Sequence, residues 1–546
     1  MMISTKGRYA LRIMADVAQH DGEMPVSVRE IAQRQDISGK YMEQIISVLT
    51  RSGLLRSVRG AQGGYHLAKR PEDITVGMIL RATEGDLAPA ECVSMDGHAC
   101  TRSGVCPSHA VFAKVYSAIN NVIDGVTLCD LVPDGESLPT AHTGACMYFN
   151  RIGENFVIYM DNAATTRLSS RALQAMMPYL TEQYANPAGT YSFTNASNAA
   201  MEKARRQVAD VIGAKSAEIF FTSGGTESDN WALKGVMRAN EKKGRHLIIS
   251  AIEHHAILHS AKTLEREGFE VTVLPVDADG VVAPETVEAA IRPDTVLVSV
   301  MAANNEIGTI EPLEAIGAVC KRHSVIFHTD AVQAFGHIPL NVDQMHIDLL
   351  SVSAHKFHGP KGVGFLYIRK GVKLLPFMDG GAQEKNRRAG TSNVPCIVGM
   401  GEAAQQAMED MDTNMAKVAA VRDHLISRIE AEIPHAKLNG HHTNRLPGNV
   451  NFCFRFIEGE SMLMLLDAQG VCASSGSACT SGSLDPSHVL LAIGCPHEIA
   501  HGSLRLSLSE ETTMEDADFV VDQLKEIIPH LRSMSPLYAD FIAENK

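Results

Sequence analysis

The sequence predicts a multidomain protein: a small, mainly α-helical head built as a winged helix-turn-helix, then a larger α/β body. Three observations predict it. At 546 residues the chain exceeds what one hydrophobic core holds, so two to four domains are expected. From residue 157 onward, short apolar runs alternate with helical patterns and each run ends in a polar group, which describes a mostly parallel sheet covered by helices. The charge is also split. Residues 1–70 hold eleven Lys and Arg against six Asp and Glu, a balance of +5, so the remainder carries −19 to give the total of −14. A basic head on an acidic body points to a polyanion met by the head alone.

Apolar residues make up 45% and charged residues 21%, ordinary values for a soluble globular chain. The eleven cysteines form no alternating framework but one cluster and scattered singles, which suits a reducing compartment. No secretory segment and no bilayer-length apolar run is present, and the expected location is the cytoplasm.

In the head, Ala10, Ile13, Met14 and Val17 give helical apolar spacing between Tyr9 and Ala18. Ser27-Val-Arg-Glu30 is a capping box that opens a second helix, Val28 to Arg34. After a break at Asp36-Ile-Ser38, Ser38 is placed to cap a third helix from Gly39 to Thr50. That helix packs Tyr41, Ile45, Ile46, Val48 and Leu49 and presents Lys40, Glu43, Gln44 and Arg51. Two short helices joined by a tight turn predict that the second enters the major groove of double-stranded DNA. Ser38, Lys40, Tyr41, Glu43 and Gln44 are its candidate contacts. Leu54 to Leu67 reads as a β-hairpin wing around a Gly-rich tip, where Arg56 and Arg59 can meet phosphates or the minor groove.

Cys92, Cys100, Cys106 and His109 lie within 18 residues, a donor set for zinc or an iron–sulfur cluster; spacing alone does not choose. Ser4-Thr-Lys-Gly-Arg-Tyr-Ala10 and Ser57-Val-Arg-Gly-x-x-Gly-Gly-Tyr65, with this cluster, resemble the iron–sulfur-sensing members of the Rrf2 family. The resemblance implies a [2Fe-2S] cluster on those four residues and makes the helix from Ala110 to Ile123 a dimerisation helix. Residues 133–156 break all periodicity and read as a linker between a domain of residues 1–132 and an enzyme of residues 157–546.

The body is organised around Ser351-Val-Ser-Ala-His-Lys-Phe-His-Gly-Pro-Lys-Gly-Val-Gly364. An apolar run from Ile347 to Val352 delivers Ser353, His355 and Lys356 to its end. A lysine between apolar walls has its pKa pushed down and attacks carbonyls as a neutral amine. This segment resembles the Schiff-base lysine region of pyridoxal 5'-phosphate (PLP) enzymes of the class V aminotransferase family, which have fold type I with a smaller C-terminal α+β subdomain. The remaining motifs agree. In Phe220-Phe-Thr-Ser-Gly-Gly-Thr-Glu227 a strand ends in small residues and a helix begins at once, a phosphate site at a helix start with Gly225 and Thr226 at its centre. Strands His246–Ser250 and Thr295–Val300 lead to His254 and to Asn304-Asn305. The strand from Val325 ends at Asp330, which would keep the pyridine nitrogen protonated, with Gln333 on the phenolic oxygen. The resemblance selects His254 to stack on the ring and adds Asn305, Ser353 and His355 to the cofactor site. It also implies a homodimer in which Thr391 reaches the neighbouring subunit's phosphate. Asn186-Pro187 reads as a loop over the site.

Ala473-Ser-Ser-Gly-Ser-Ala-Cys-Thr-Ser-Gly-Ser483 places Cys479 among small polar residues, which suits a thiol that must visit a cofactor and then a partner. With Asp485-Pro-Ser-His488 it resembles the NifS/IscS group of cysteine desulfurases. That resemblance makes Lys356, His254 and Cys479 catalytic, Cys479 carrying a persulfide for a scaffold or other sulfur-acceptor protein of iron–sulfur assembly. Arg505, whose fork suits an α-carboxylate, and Asn305 are the substrate contacts. Alternatives from the same residues are a selenocysteine lyase, another class V enzyme, or a transcription factor whose PLP domain only senses a ligand.

Overall fold

The computed structural model describes residues 4–20, 25–35, 39–58, 63–93, 106–131, 157–475 and 486–544. It divides into two compact units, Met1–Gly144 and Ala145–Lys546.

The first unit packs helices α1 (Thr5–His20), α2 (Val28–Gln35) and α3 (Gly39–Arg51) around one core. The expected helices are each slightly longer than their periodicity indicates. Ala10, Ile13, Met14 and Val17 bury one stripe of α1 against Ile31 of α2 and Met42, Ile45, Ile46 and Leu49 of α3. The capping box forms: the Ser27 and Glu30 backbone N–H groups donate to each other's side chains at 3.1 and 3.3 Å. Asp16 is buried, which by itself raises a carboxyl pKa. Hydrogen bonds from Arg34 (2.7 Å) and Gln35 (2.8 Å) outweigh that, hold it below the ordinary range and tie α1 to α2. The wing is the antiparallel pair β1 (Leu55–Val58) and β2 (Gly64–Leu67), with Leu55 opposite Leu67. Helices α4 (Val76–Glu84) and α5 (Pro107–Gly125) follow, joined by a bidentate Arg81–Asp124 pair at 2.6 and 2.7 Å.

The second unit is organised by a seven-stranded sheet. Its spatial order is β4 (Ile219–Thr222), β10 (Gly364–Ile368), β9 (Leu349–Ser353), β8 (Ile326–Asp330), β7 (Thr295–Ser299), β5 (His246–Ser250) and β6 (Glu270–Leu274). Only β10 runs against the other six. Helices cover both faces, so the strands are continuous apolar runs and side chains divide by parity. Leu247 and Ile249 face the cluster of α8 (Gly225–Ala239) and α9 (His255–Arg266). Ile248 between them faces α7 (Asn195–Val211), α11 (Leu313–Arg322) and the start of α13 (Val394–Glu432). The 39-residue α13 then leaves this core and buries Val418, Val421, Leu425 and Ile429 in the smaller α+β subdomain. That subdomain holds β11 (Ala436–Leu438), β12 (Asn449–Phe454) and β14 (Ser503–Ser507) as an antiparallel sheet under α17 (Met514–Ser533).

The apolar run before Asp161 yields only the two-residue β3 (Ile158–Tyr159). It pairs in parallel with β13 (Val471–Cys472) of the small subdomain rather than joining the main sheet. No helix among the described residues is long and apolar enough to cross a membrane.

Candidate active site

Six strands point their carboxyl ends the same way, and the functional side chains gather where those ends meet the small subdomain. A cavity of about 330 Å³ is lined by Gly225, Thr226, His254, Asn305, Asp330, Gln333, Ser353, His355, Lys356 and Arg505. These are ten of the residues expected from the sequence. Lys356 sits in a single turn of 3₁₀ helix after β9, its Nζ donating to the carbonyls of Ala163 (2.6 Å) and Ala164 (2.8 Å). Gln333 Nε2 donates to the same Ala163 carbonyl at 2.9 Å. The Asp161–Thr165 turn thus threads beneath lysine and glutamine alike.

Asp330 ends β8 on the cavity floor. Burial pushes its pKa up to about 6, opposed by a hydrogen bond from the Val332 N–H (2.9 Å) and the Lys356 charge. His254 caps α9, its Nδ1 accepting from the Ala256 N–H at 3.2 Å; burial, then the nearby Lys356, lowers its pKa and keeps the imidazole neutral. His355 is pushed down to about 4 by burial and by Lys356, and its Nδ1 lies 3.1 Å from Thr165 Oγ1. His254 lines the cavity and His255 does not.

The residues fit PLP. The first turn of α8 opens on the cavity, its N-cap is Gly224, and no side chain caps it. The first N–H groups of a helix lack partners within it and attract a phosphate. A Cβ at Gly225 would stand 2.6 Å from Val332 Cγ2, so the cradle requires glycine there. Opposite, Arg505 on β14 is buried, pairs with Asp161 (2.8 Å) and donates to the Asn305 carbonyl (3.3 Å). Its Nε has no acceptor among the described residues, leaving a donor for a substrate carboxylate.

Cys479 lies outside the described residues, but both flanks of its segment are anchored beside the cavity. Upstream, Ser474 and Arg505 exchange backbone hydrogen bonds at 2.6 and 3.1 Å. Downstream, Ser487 Oγ donates to Glu306 Oε2 at 2.7 Å, next to Asn305, and His488 Nε2 lies 3.0 Å from the Glu253 carbonyl. Thr391 is exposed and does not line the cavity of its own chain. Asn186 and Pro187 do not lie over the site either. They line a separate cleft with Arg205 and Glu384, where Asn198 Nδ2 donates to the Pro187 carbonyl (3.1 Å) and the Ala188 N–H to Asn186 Oδ1 (3.0 Å); Arg205 and Glu384 pair bidentately there (2.8 and 2.9 Å).

Sequence reasoning missed Asp161, Asp229 and Glu306. Asp229 stands one helical turn after Gly225, and that spacing was the available signal. Asp161 and Glu306 carried none, because their roles arise from contacts with residues far along the chain.

In the head, Glu43, Gln44 and Arg51 are exposed on α3, and Tyr41 is half-buried edge-on to Tyr9. Lys40 is on α3 by its backbone; Ser38 and Arg59 lie outside the described residues. Met42, absent from the expected packing set, is buried. Of the cysteine cluster, Cys92 sits in a turn packed on α5, Cys106 caps that helix, and His109 is in its first turn. Hydrogen bonds from Ser108 and the His109 N–H lower the Cys106 pKa. The donor set is soft and suits an iron–sulfur cluster, but Cys100 lies outside the described residues, and no three donors converge among those described.

A lysine, a buried aspartate at a strand end and an uncapped helix start, gathered at the carboxyl ends of a mostly parallel sheet, are the residues that would hold PLP in an enzyme of fold type I. Residues 158–520 match the aminotransferase class-V family, to which the chain belongs, and residues 3–134 match the Rrf2 family of iron-dependent transcriptional regulators. Among its relatives, the cysteine desulfurase IscS of Methanosarcina thermophila is 55% identical over 384 residues, 70% of this chain and 95% of that protein. The IscS of Clostridium botulinum is 54% identical over 390 residues, 71% of this chain and 98% of that one. Among solved structures, a NifS-like protein is 40% identical with a TM-score of 0.65, covering 69% of this chain and 100% of its own. SspA in complex with cysteine is 37% identical with a TM-score of 0.59, covering 65% and 100%.

Proposed function

We propose that the second unit is a PLP-dependent cysteine desulfurase acting through Cys479, and that the first is a DNA-binding, iron–sulfur-responsive regulator fused to it. The observation that carries the enzyme reading is the convergence of Lys356, Asp330 and Arg505 in one cavity, with both flanks of the Cys479 segment anchored at its rim.

PLP bound there supplies an electron sink for the substrate α-carbon. Gly225 and Thr226 hold its phosphate, Asp330 its ring nitrogen and Gln333 its phenolic oxygen. Arg505, with Asn305 beside it, binds the carboxylate of L-cysteine and aims the side chain toward Cys479. Lys356 Nζ takes the α-proton, and neutral His254 walls the cavity above it. The Cys479 thiolate attacks the substrate sulfur, the Cβ–S bond breaks and Cβ gains a proton, and Lys356 returns the α-proton. L-cysteine plus the Cys479 thiol thus become alanine plus a Cys479 persulfide, with atoms balanced. The persulfide passes to an acceptor such as a scaffold protein for cluster assembly. Thr391, exposed on its own chain, serves a second subunit in a homodimer.

The Rrf2 match and the exposed polar face of α3 support double-stranded DNA as partner of the head. The thiol and imidazole donors of Cys92, Cys106 and His109, with Cys100, support a [2Fe-2S] cluster.

The test is release of alanine and sulfide from L-cysteine plus a reductant. The intact protein releases both and Cys479→Ala falls to background; equal release from the two replaces this reading with a lyase that needs no thiol.

A further inference from the structure

Asp330 is not the only carboxyl on the cavity floor. Asp229, on the second turn of α8, lines the same cavity, and the two residues are 1% and 5% exposed. Asp229 Oδ1 finds no donor among the described residues, and the nearest ring nitrogen, His328 Nε2, is 3.8 Å away. His328 cannot supply a charge. Its ring lies between Ser299 Oγ (2.8 Å) and Ser351 Oγ (3.0 Å), and burial holds it neutral down to about pH 3. Of the two cations that line the cavity among the described residues, Lys356 acts on Asp330, and Arg505 is paired with Asp161.

Two buried acids that share one cation cannot both ionise. Asp330 has the Val332 N–H and the Lys356 charge to stabilise its anion. Asp229 has a hydrogen bond from Ser351 alone. We propose that Asp229 is a positioning residue for the cofactor: a carboxylic acid that keeps its proton and so leaves Asp330 as the single anion facing the ring nitrogen. The proposal rests on the PLP reading of the cavity.

The surroundings of Asp229 agree. Burial, then the Asp330 charge, drives its pKa well up, and Glu253, three residues past β5, adds a little more. Glu253 is itself pushed up to about 8 by burial. The other strands packed on α8 (β4, β7, β9 and β10) carry no titratable side chain except Tyr367, whose burial keeps the phenol neutral. On α9, His255, His259, Lys262, Glu265 and Arg266 do not act on Asp229. On α8 itself, Glu227 is occupied by Arg388 at 2.8 Å.

The test is infrared difference spectroscopy of the full-length protein carrying isotope-labelled aspartate, with and without PLP. Asp229 gives a protonated-carboxyl stretch at neutral pH in both forms, absent from D229N and retained in D330N. D229N, a neutral isostere, binds PLP within about threefold of wild type with an unchanged pH profile of cofactor absorbance; D229A widens that profile and releases PLP. Should D229N not fold, the labelled wild type against D330N still decides. No protonated-aspartate band outside Asp330, or a folded D229N that has lost PLP affinity at least tenfold, overturns the proposal, since the charge would then be needed. Wild type that takes up no PLP at all refutes the cofactor reading instead, and leaves the infrared result on the PLP-free protein standing by itself.

Discussion

In the proposed reaction the substrate's carboxylate competes with Asp161 for the buried Arg505 guanidinium. Arg505→Lys keeps the charge but loses the fork. A lost charged hydrogen bond is worth about 1.5–3 kcal/mol, so KM for L-cysteine rises roughly ten- to hundredfold while PLP absorbance stays. Glu306 makes a different prediction. Burial moves its carboxyl from 4.5 to about 7 in the folded protein, so the folded state prefers the protonated form. That preference stabilises fully below about pH 4.5, declines as pH rises, and is lost above about 7, a difference on the order of 3 kcal/mol. Glu306→Gln removes this dependence, and thermal unfolding followed between pH 5 and 9 falls less steeply than in wild type. Single residues were legible in the sequence where a motif surrounded them, as with Lys356 after its apolar run or Gly225 at its helix start. Asp161 lies 344 positions before Arg505, and no local pattern announces such a partner.

Elements were legible wherever burial imposes a period. The strand from His246 to Ser250 has the expected limits, and the helices that bury one stripe lie where that stripe predicts them. The run before Asp161 misled because a short apolar stretch does not say which sheet it will join. A tight helix start also predicts a measurable effect. Gly225→Ala sets a Cβ 2.6 Å from Val332 Cγ2 at the proposed phosphate cradle, and overpacking of this kind costs about 1–3 kcal/mol. PLP affinity, measured by titrating the cofactor-free protein, falls roughly ten- to hundredfold while the fold persists. The loop at Glu384, Lys385 and Asn386 has positive φ values of 44°, 58° and 61°, a strained conformation for side-chain-bearing residues. The buried Arg205–Glu384 pair, which also engages the Phe221 N–H at 3.0 Å, holds it. Arg205→Met leaves a buried carboxylate unpaired and lowers stability by about 3–5 kcal/mol, whereas Arg205→Met with Glu384→Gln recovers most of it in chemical denaturation.

On the scale of the whole molecule, two chemistries share one chain, and each has its own core. Lys356→Ala therefore abolishes PLP absorbance and leaves DNA binding intact. Replacing Cys92, Cys100 and Cys106 by Ala changes operator affinity and leaves alanine release intact, read by gel shift and by turnover on the same preparations. The cavity has a further consequence for synthesis. Its walls are drawn from Ala163 near one end of the second unit to Arg505, 41 residues before the chain's last residue. A nascent chain that has emerged past Lys356 already owns its reactive amine but lacks the wall that closes the pocket. A product truncated before Arg505 therefore leaves the ribosome with the residues proposed to hold the cofactor, Gly225 to Lys356, but without the arginine of the opposite wall.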